Sequence, residues 1–277
     1  MAMIEKTSSP GCLSTVVTVG VKEFRDCVRG RWLGVAAILF ALLSLAIVYG
    51  TAAIGGDLDF RPLNVVMNSL VSLTVFLLPL VAFMISYDAF VGEAESGTLL
   101  LMLTYPLNRL EWLVGKAIGQ SAALLIALIL GYLPLVGLTA SKLLPYEMET
   151  LLVDLSVMLL SGWILGVVSV FVAYLVSLSV SSKNRALGML LLVWLIFVLL
   201  YDLGLLVLSI AASDSIGREV MQVCLLANPA SVFRMINQDF LGITSFGFSP
   251  LVLYGILLVW IIVLFLLDYW CLIRRRL

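Results

Sequence analysis

Residues 86 to 111 read SYDAFVGEAESGTLLLMLTYPLNRLE and follow the apolar run LVSLTVFLLPLVAFMI. The stretch gathers Asp88, Glu93, Glu95, Arg109 and Glu111 in a chain where charge is scarce. Of 277 residues, 62% are hydrophobic and 12% charged, and mean hydropathy is +1.17. That composition excludes a soluble domain with a polar surface and makes the chain an integral membrane protein. A charged stretch between two apolar runs therefore marks where the chain leaves the bilayer.

Outward from this stretch, runs free of charge and long enough to cross about 30 Å of hydrocarbon cover 32–56, 62–87, 117–141, 155–182 and 240–267. A sixth run, 186–213, is interrupted only by Asp202. The expected fold is all-α: six spans in one transmembrane domain over 1–277, with both termini on one side. Twelve of the 16 Lys and Arg residues fall on the side of the termini and of 88–116, leaving Arg61, Lys142, Arg218 and Arg234 opposite. The positive-inside rule makes the first side cytoplasmic. The first residues carry Glu5, Lys6 and a Pro-Gly break, with no long apolar stretch and no A-x-A site, so no signal peptide is expected.

Ahead of the first span, Val17, Val21, Phe24 and Val28 recur at helical spacing, with Lys22, Arg25, Asp26 and Arg29 on other faces. Residues 14–31 read as an amphipathic interfacial helix, or as a basic anchor that only sets topology. Ser96 and Thr98 are helix-starting residues before LLLMLTY, Pro106 stops that helix, and Asn108 with Glu111 has capping-box spacing at the start of the next. The short apolar helix inside 88–112 either lies at headgroup level or fills a socket on a cytoplasmic partner. Residues 213–249 contain two helical patterns joined at Asn228-Pro229, an N-cap followed by a first-turn proline. They read as an outer re-entrant hairpin whose residues Arg218, Met221, Arg234 and Asn237 are candidate contacts for a periplasmic partner.

The chain lacks histidine and CxxC pairs, and its four cysteines (12, 27, 224 and 271) fall in separate segments. No metal site is expected. Met221, Cys224 and Met235 are soft donors suited to Cu(I), but read first as apolar packing. Asp202 is the intramembrane candidate, placed near the outer headgroup boundary, and Asp268 reads as an interfacial charge beside the basic tail. With no His and one shallow Asp, an intramembrane enzyme is disfavoured and no catalytic residue is expected. No G-x-x-x-x-G-K-[ST] occurs, so the chain has no phosphate cradle of its own.

The run Glu93, Glu95, Gly97, Thr98, Leu99, Tyr105, Pro106, Arg109, Gly115 and Lys116 resembles the type 2 ABC permease family. There an acidic stretch, G-T-L, an apolar turn, Y-P and a basic residue precede G-K at the head of the third span. The resemblance implies that the short helix, with Leu101 on its apolar turn, is a coupling helix docking in a cytoplasmic ABC ATPase that holds the ATP and Mg. It also implies a second copy of the chain, with no cofactor bound by the chain itself and no nucleic-acid partner. Three stretches, KEFRDCVRGRWL, SKNRALGMLLLVWLIFVLLYDLGLL and LLANPASVFRMINQDFLG, resemble the family branch that supports maturation of the copper sites of nitrous oxide reductase. That branch implies a bacterial inner membrane and a periplasmic scaffold partner. The alternative within the family is an exporter of a lipid, drug or other apolar solute.

Overall fold

Backbone polar groups in hydrocarbon must be paired internally, and the chain answers with helices throughout. The computed structural model describes residues 12–53, 60–97, 108–211 and 218–274, with no strand among them. In chain order the helices are α1 (Cys12–Arg29), α2 (Trp32–Ala53), α3 (Leu63–Ser86), α4 (Val91–Glu95), α5 (Arg109–Ala140) and α6 (Met148–Ser179). Next comes a long helix made of α7 (Lys183–Trp194), a π-helical segment Leu195–Leu200 and α8 (Tyr201–Ala211). It is followed by α9 (Arg218–Leu226), α10 (Pro229–Phe240) and α11 (Pro250–Arg274). Among the described residues, six helical stretches are long and apolar enough to span a membrane: 32–53, 63–95, 109–140, 148–179, 183–210 and 250–274.

The expected spans are all present, with shifted bounds. The third starts at Arg109, ahead of the charge-free run at 117 and where the capping signal puts it, because Asn108 caps it by accepting the backbone N–H of Leu110 at 3.3 Å. The last starts at Pro250, not 240, because α10 ends at Phe240 and a loop intervenes; it then runs on to Arg274. Charge-free runs mark what hydrocarbon tolerates, whereas caps and prolines mark where helices begin and end.

Helices α5 and α6 form the centre. Every fourth residue of one α5 face is small and buried: Gly115, Gly119, Ala123, Ala127 and Gly131. Such a stripe lets backbones approach closely, as in membrane G-x-x-x-G contacts. Helix α1 occupies the first part, where a Cβ on Gly115 would lie 2.7 Å from Val19 Cβ and one on Gly119 would lie 2.8 Å from Glu23 Cβ. Helix α2 occupies the rest, bringing Phe40 and Ala37 against Gly131. Helices α3 and α11 flank α6, and Phe171 meets Phe265 edge-on at 5.9 Å.

The direction of α1 is the converse of a water-facing amphipathic helix. Val17, Val21 and Val28 are exposed, Phe24 is half-buried, and Thr15, Gly20, Glu23 and Cys27 face α5. Its inward face is thus partly polar, which decides the chemistry of that end of the bundle.

Candidate functional site

The inward face of α1, the end of α3 with α4, and the first turns of α5 converge at the end of the bundle that also holds the C-terminus of α11, called the basal end below. Lys116 is only 1% exposed. Its Nζ lies 2.8 Å from Glu23 Oε1 and 2.8 Å from Glu93 Oε1. Lys22 Nζ approaches the same two oxygens at 3.0 and 3.7 Å. Two cations therefore face two buried carboxylates, with the exposed Asp26 3.6 Å from Lys22 as a third at the rim, so that each buried charge is paired. Trp112 and Phe90 place their rings 5.4 and 5.6 Å from the Lys116 ammonium.

A neutral layer extends the cluster into the bundle. Gln120 donates to Glu23 Oε2 at 3.3 Å, and its Oε1 accepts from Ser86 at 2.6 Å and Tyr174 at 2.9 Å. Ser177 Oγ on α6 accepts the backbone N–H groups of Phe90 and Val91 at 3.2 and 3.0 Å, fixing the chain between α3 and α4. Burial pushes the Glu23 carboxyl up, but Lys116 and Lys22 outweigh it and hold the group below the usual carboxylate range. Burial pulls Lys22 down, and Glu23, Glu93 and Asp26 more than restore it, leaving it raised. Burial followed by the nearby carboxylates pushes the Cys27 thiol up to about 12, so it offers no thiolate at neutral pH. A polar cavity of about 350 Å³ opens beside the cluster, with Asp88, Asp26 and Lys183 on its walls.

The candidate coupling residues divide. Thr98, Leu99, Leu101, Tyr105 and Pro106 lie outside the described residues. Glu93 is turned inward onto Lys116, and Glu95 accepts the backbone N–H of Lys183 at 3.1 Å, at the start of α7. Ser96, expected to open a helix, instead donates back to Gly92 O at 2.9 Å, and Gly97 takes a left-handed φ of 72° that ends α4. Arg109 donates to the carbonyls of Leu272 and Ile273, both at 3.0 Å, tying the start of α5 to the last turns of α11. These side chains brace the two ends of the 98–107 segment from within the subunit. Sequence reading missed Glu23 and the role of Lys116; the available signal was Gly115-Lys116-Ala117-Ile118-Gly119, a charge enclosed by a close-packing motif.

At the opposite end, Asp202 pairs with Arg234 and accepts from Ser231 at 3.5 Å, while Arg234 lies 5.8 Å over the Phe76 ring. Asp202 is thus a helix-pairing residue, and Arg234 is engaged within the subunit. Asn237 is also placed inside: it is 2% exposed and donates to Ser161 at 2.9 Å. Met221 is half-buried on α9, and Arg218 opens that helix with its side chain outside the described set. Met235 is buried at 1% in an apolar cluster, apart from the half-buried Cys224. No group of three or more His, Cys, Asp or Glu that could hold a metal occurs among the described residues. Asn228 caps α10 as expected, accepting from Ala230 N at 2.9 Å, and also donates to Phe197 O of the π-helical segment at 2.7 Å.

A family model described as "ABC-2 family transporter protein" matches residues 17–277. A protein of Stutzerimonas stutzeri named "Probable ABC transporter permease protein NosY" is 37% identical over 276 residues, 96% of this chain and 100% of the relative. A protein of the same name from Pseudomonas aeruginosa is 39% identical over 226 residues, 81% of this chain and 82% of the relative. With six spans, and a match that runs from α1 to the C-terminus, the chain belongs to the ABC-2 family and is a transmembrane permease subunit of an ABC transporter, served by a partner ATPase subunit.

Proposed function

We propose that the basal end is the transmission of this permease. It faces the cytoplasm with both termini, and it carries the movement of segment 98–107, seated in the ATPase, into the bundle. The observation that carries this reading is the Lys116 cluster. Glu23 belongs to α1, Glu93 to α4 and Lys116 to α5, so one buried ion cluster ties together the elements that flank the segment. An ABC motor has two nucleotide sites, so the working unit is a dimer of this chain with two ATPases. Closure of the ATPases pulls on both braced ends of the segment. Arg109 passes the pull to α11, and Lys116 passes it to α1 and α5.

The NosY relatives and the three resembling stretches support a purpose in maturing the copper sites of nitrous oxide reductase, with a periplasmic scaffold docking on the α9–α10 hairpin. Arg218 and Met221 are the contacts proposed there. ATP and Mg belong to the ATPase. One observation favours the alternative, export of an apolar solute: a cavity of about 350 Å³ lies between α3, α6, the fifth span, α10 and α11, lined by apolar side chains apart from Ser169, Ser179, Asn228 and the indoles of Trp194 and Trp260.

The test is copurification. Deleting 97–105, or replacing Leu99 and Leu101 by Asp, is expected to abolish recovery of the ATPase while membrane insertion survives. Unchanged recovery overturns the reading. ATPase activity stimulated by a lipid or drug, without any periplasmic partner, would select the exporter.

A further inference from the structure

Asp268 sits two turns before the end of the described part of α11 and is 0% exposed. Neither carboxyl oxygen has a hydrogen-bond partner among the described residues. The helix around it shows which way it faces. Leu264 and Leu272, one turn to either side, are buried, whereas Leu266, Leu267 and Trp270 are exposed on the outer face.

Among the described residues of α11 and of the helices packed on it, the cations are engaged elsewhere. Arg274, on the same helix, stacks over the Trp270 ring at 4.0 Å. On α5, Arg109 is spent on the carbonyls of Leu272 and Ile273, and Lys116 is held by Glu23 and Glu93. On α6, the Phe171–Phe265 contact sets the register that puts Tyr174 level with Asp268, and the Tyr174 hydroxyl donates to Gln120. Helix α10 meets α11 at the opposite end, where Arg234 is paired with Asp202. Tyr269 and Cys271 are the other titratable neighbours on α11. Trp112, one turn beyond Arg109 on α5, brings the same level a buried indole N–H that also lacks a partner among the described residues.

An ionised carboxylate sealed from bulk solvent and facing no paired cation is among the costliest groups a protein interior can hold, and such a group takes up a proton instead. We propose that Asp268 is an intramembrane proton-binding site, carrying its proton as a neutral carboxylic acid in this conformation. Movement of α11 against α5 and α6 that admits water to the seam breaks the O–H bond. The proton passes to that water and the electron pair stays on the carboxylate. Arg109, one helical turn away at Leu272, is the cation placed to receive that charge once α11 shifts. The site binds one proton per subunit and links protonation to the position of α11.

The full-length chain in lipid nanodiscs, without nucleotide or ATPase, suffices for the test, so its outcome is independent of the coupling reading above. Infrared spectra at neutral pH are expected to show the carbonyl stretch of a protonated carboxylic acid. That band should shift on carbonyl-13C labelling of aspartate and be lost in Asp268→Asn. A labelled wild-type chain with no acid band, or a band unchanged in Asp268→Asn, overturns the proposal. Should Asp268→Asn fail to accumulate, the labelled wild-type spectrum decides alone. Asp268→Leu, apolar and of similar volume, is expected to accumulate and melt as the wild type does. Accumulation of Asp268→Glu only, with Asn and Leu both lost, would mean that an ionised group is required and would overturn the proposal as well.

Discussion

The two ends of the molecule solve the same electrostatic problem at different depths. At the basal end Lys116 and Glu23, with side chains 2% and 8% exposed, are sealed between helices, and the charges come as two cations and two buried carboxylates with the exposed Asp26 at the rim. At the distal end Arg234 and Asp202, 21% and 26% exposed, form a single pair beside the π-helical segment. Burial decides what each costs to break. A sealed ion deprived of its partner is stranded, whereas a half-exposed one is partly solvated. The basal end is therefore built to move as one block, and the distal end to separate and re-form.

The largest expected effect is at the centre of the basal cluster. Lys116→Met leaves Glu23 and Glu93 sharing only the half-exposed Lys22, and should destabilise the subunit by about 3–5 kcal/mol, read as a lower thermal midpoint in detergent. Adding Glu23→Gln and Glu93→Gln to it should recover part of the loss, since the stranded charges are then gone. A triple variant less stable than the single one would contradict the ion-pair account. Acid reaches the same pair. The Glu23 carboxyl is depressed by its lysines, so its contribution is complete above the ordinary glutamate value of about 4.3 and is lost as pH falls through the lower folded value. Glu23→Gln should flatten that acid limb of the stability curve.

Gly119→Leu comes next. A side chain there meets Glu23 Cβ and the Phe24 backbone nitrogen, 3.1 Å from a built Cβ, so α1 must lift from α5. The expected cost is about 1–3 kcal/mol, with faster proteolysis within residues 12–31. Intact protection of α1 would break the close-packing argument. At the distal end, Asn228→Ala removes both the α10 cap and the bond to Phe197 O, for about 1–2 kcal/mol. Smallest of all, Asp202→Asn should cost at most about 1 kcal/mol. A larger loss than for Lys116→Met would invert the comparison between the ends.

Six spans and the Asn108 and Asn228 caps were legible in the sequence, because hydropathy and capping are local properties. What was not legible depended on contacts distant in sequence. Glu93 and Arg109 looked like surface charges in a loop, but their partners, Lys116 and the end of α11, lie 23 and more than 160 residues away. Asp268 was misplaced because the charge-free run 240–267 suggested that the helix ended before it, whereas α11 begins at Pro250 and carries Asp268 into the packed interior. Asn237 looked like a polar surface residue of a hairpin, and only the packing of α10 on α6 turns it toward Ser161. The small-residue stripe of α5 was present in the sequence at four-residue spacing, but its two occupants, α1 and α2, required the fold.

The central claim, that the basal block transmits ATPase movement through the bundle, is tested most directly by one distance. Spin labels at Val21, exposed on α1, and Phe240, exposed at the end of α10, report the two ends of the subunit in its complex with the ATPase. The account predicts an ATP-dependent change in that distance in the parent protein, and its loss in the Lys116→Met, Glu23→Gln, Glu93→Gln variant while the ATPase remains bound. The same change in both proteins would contradict it.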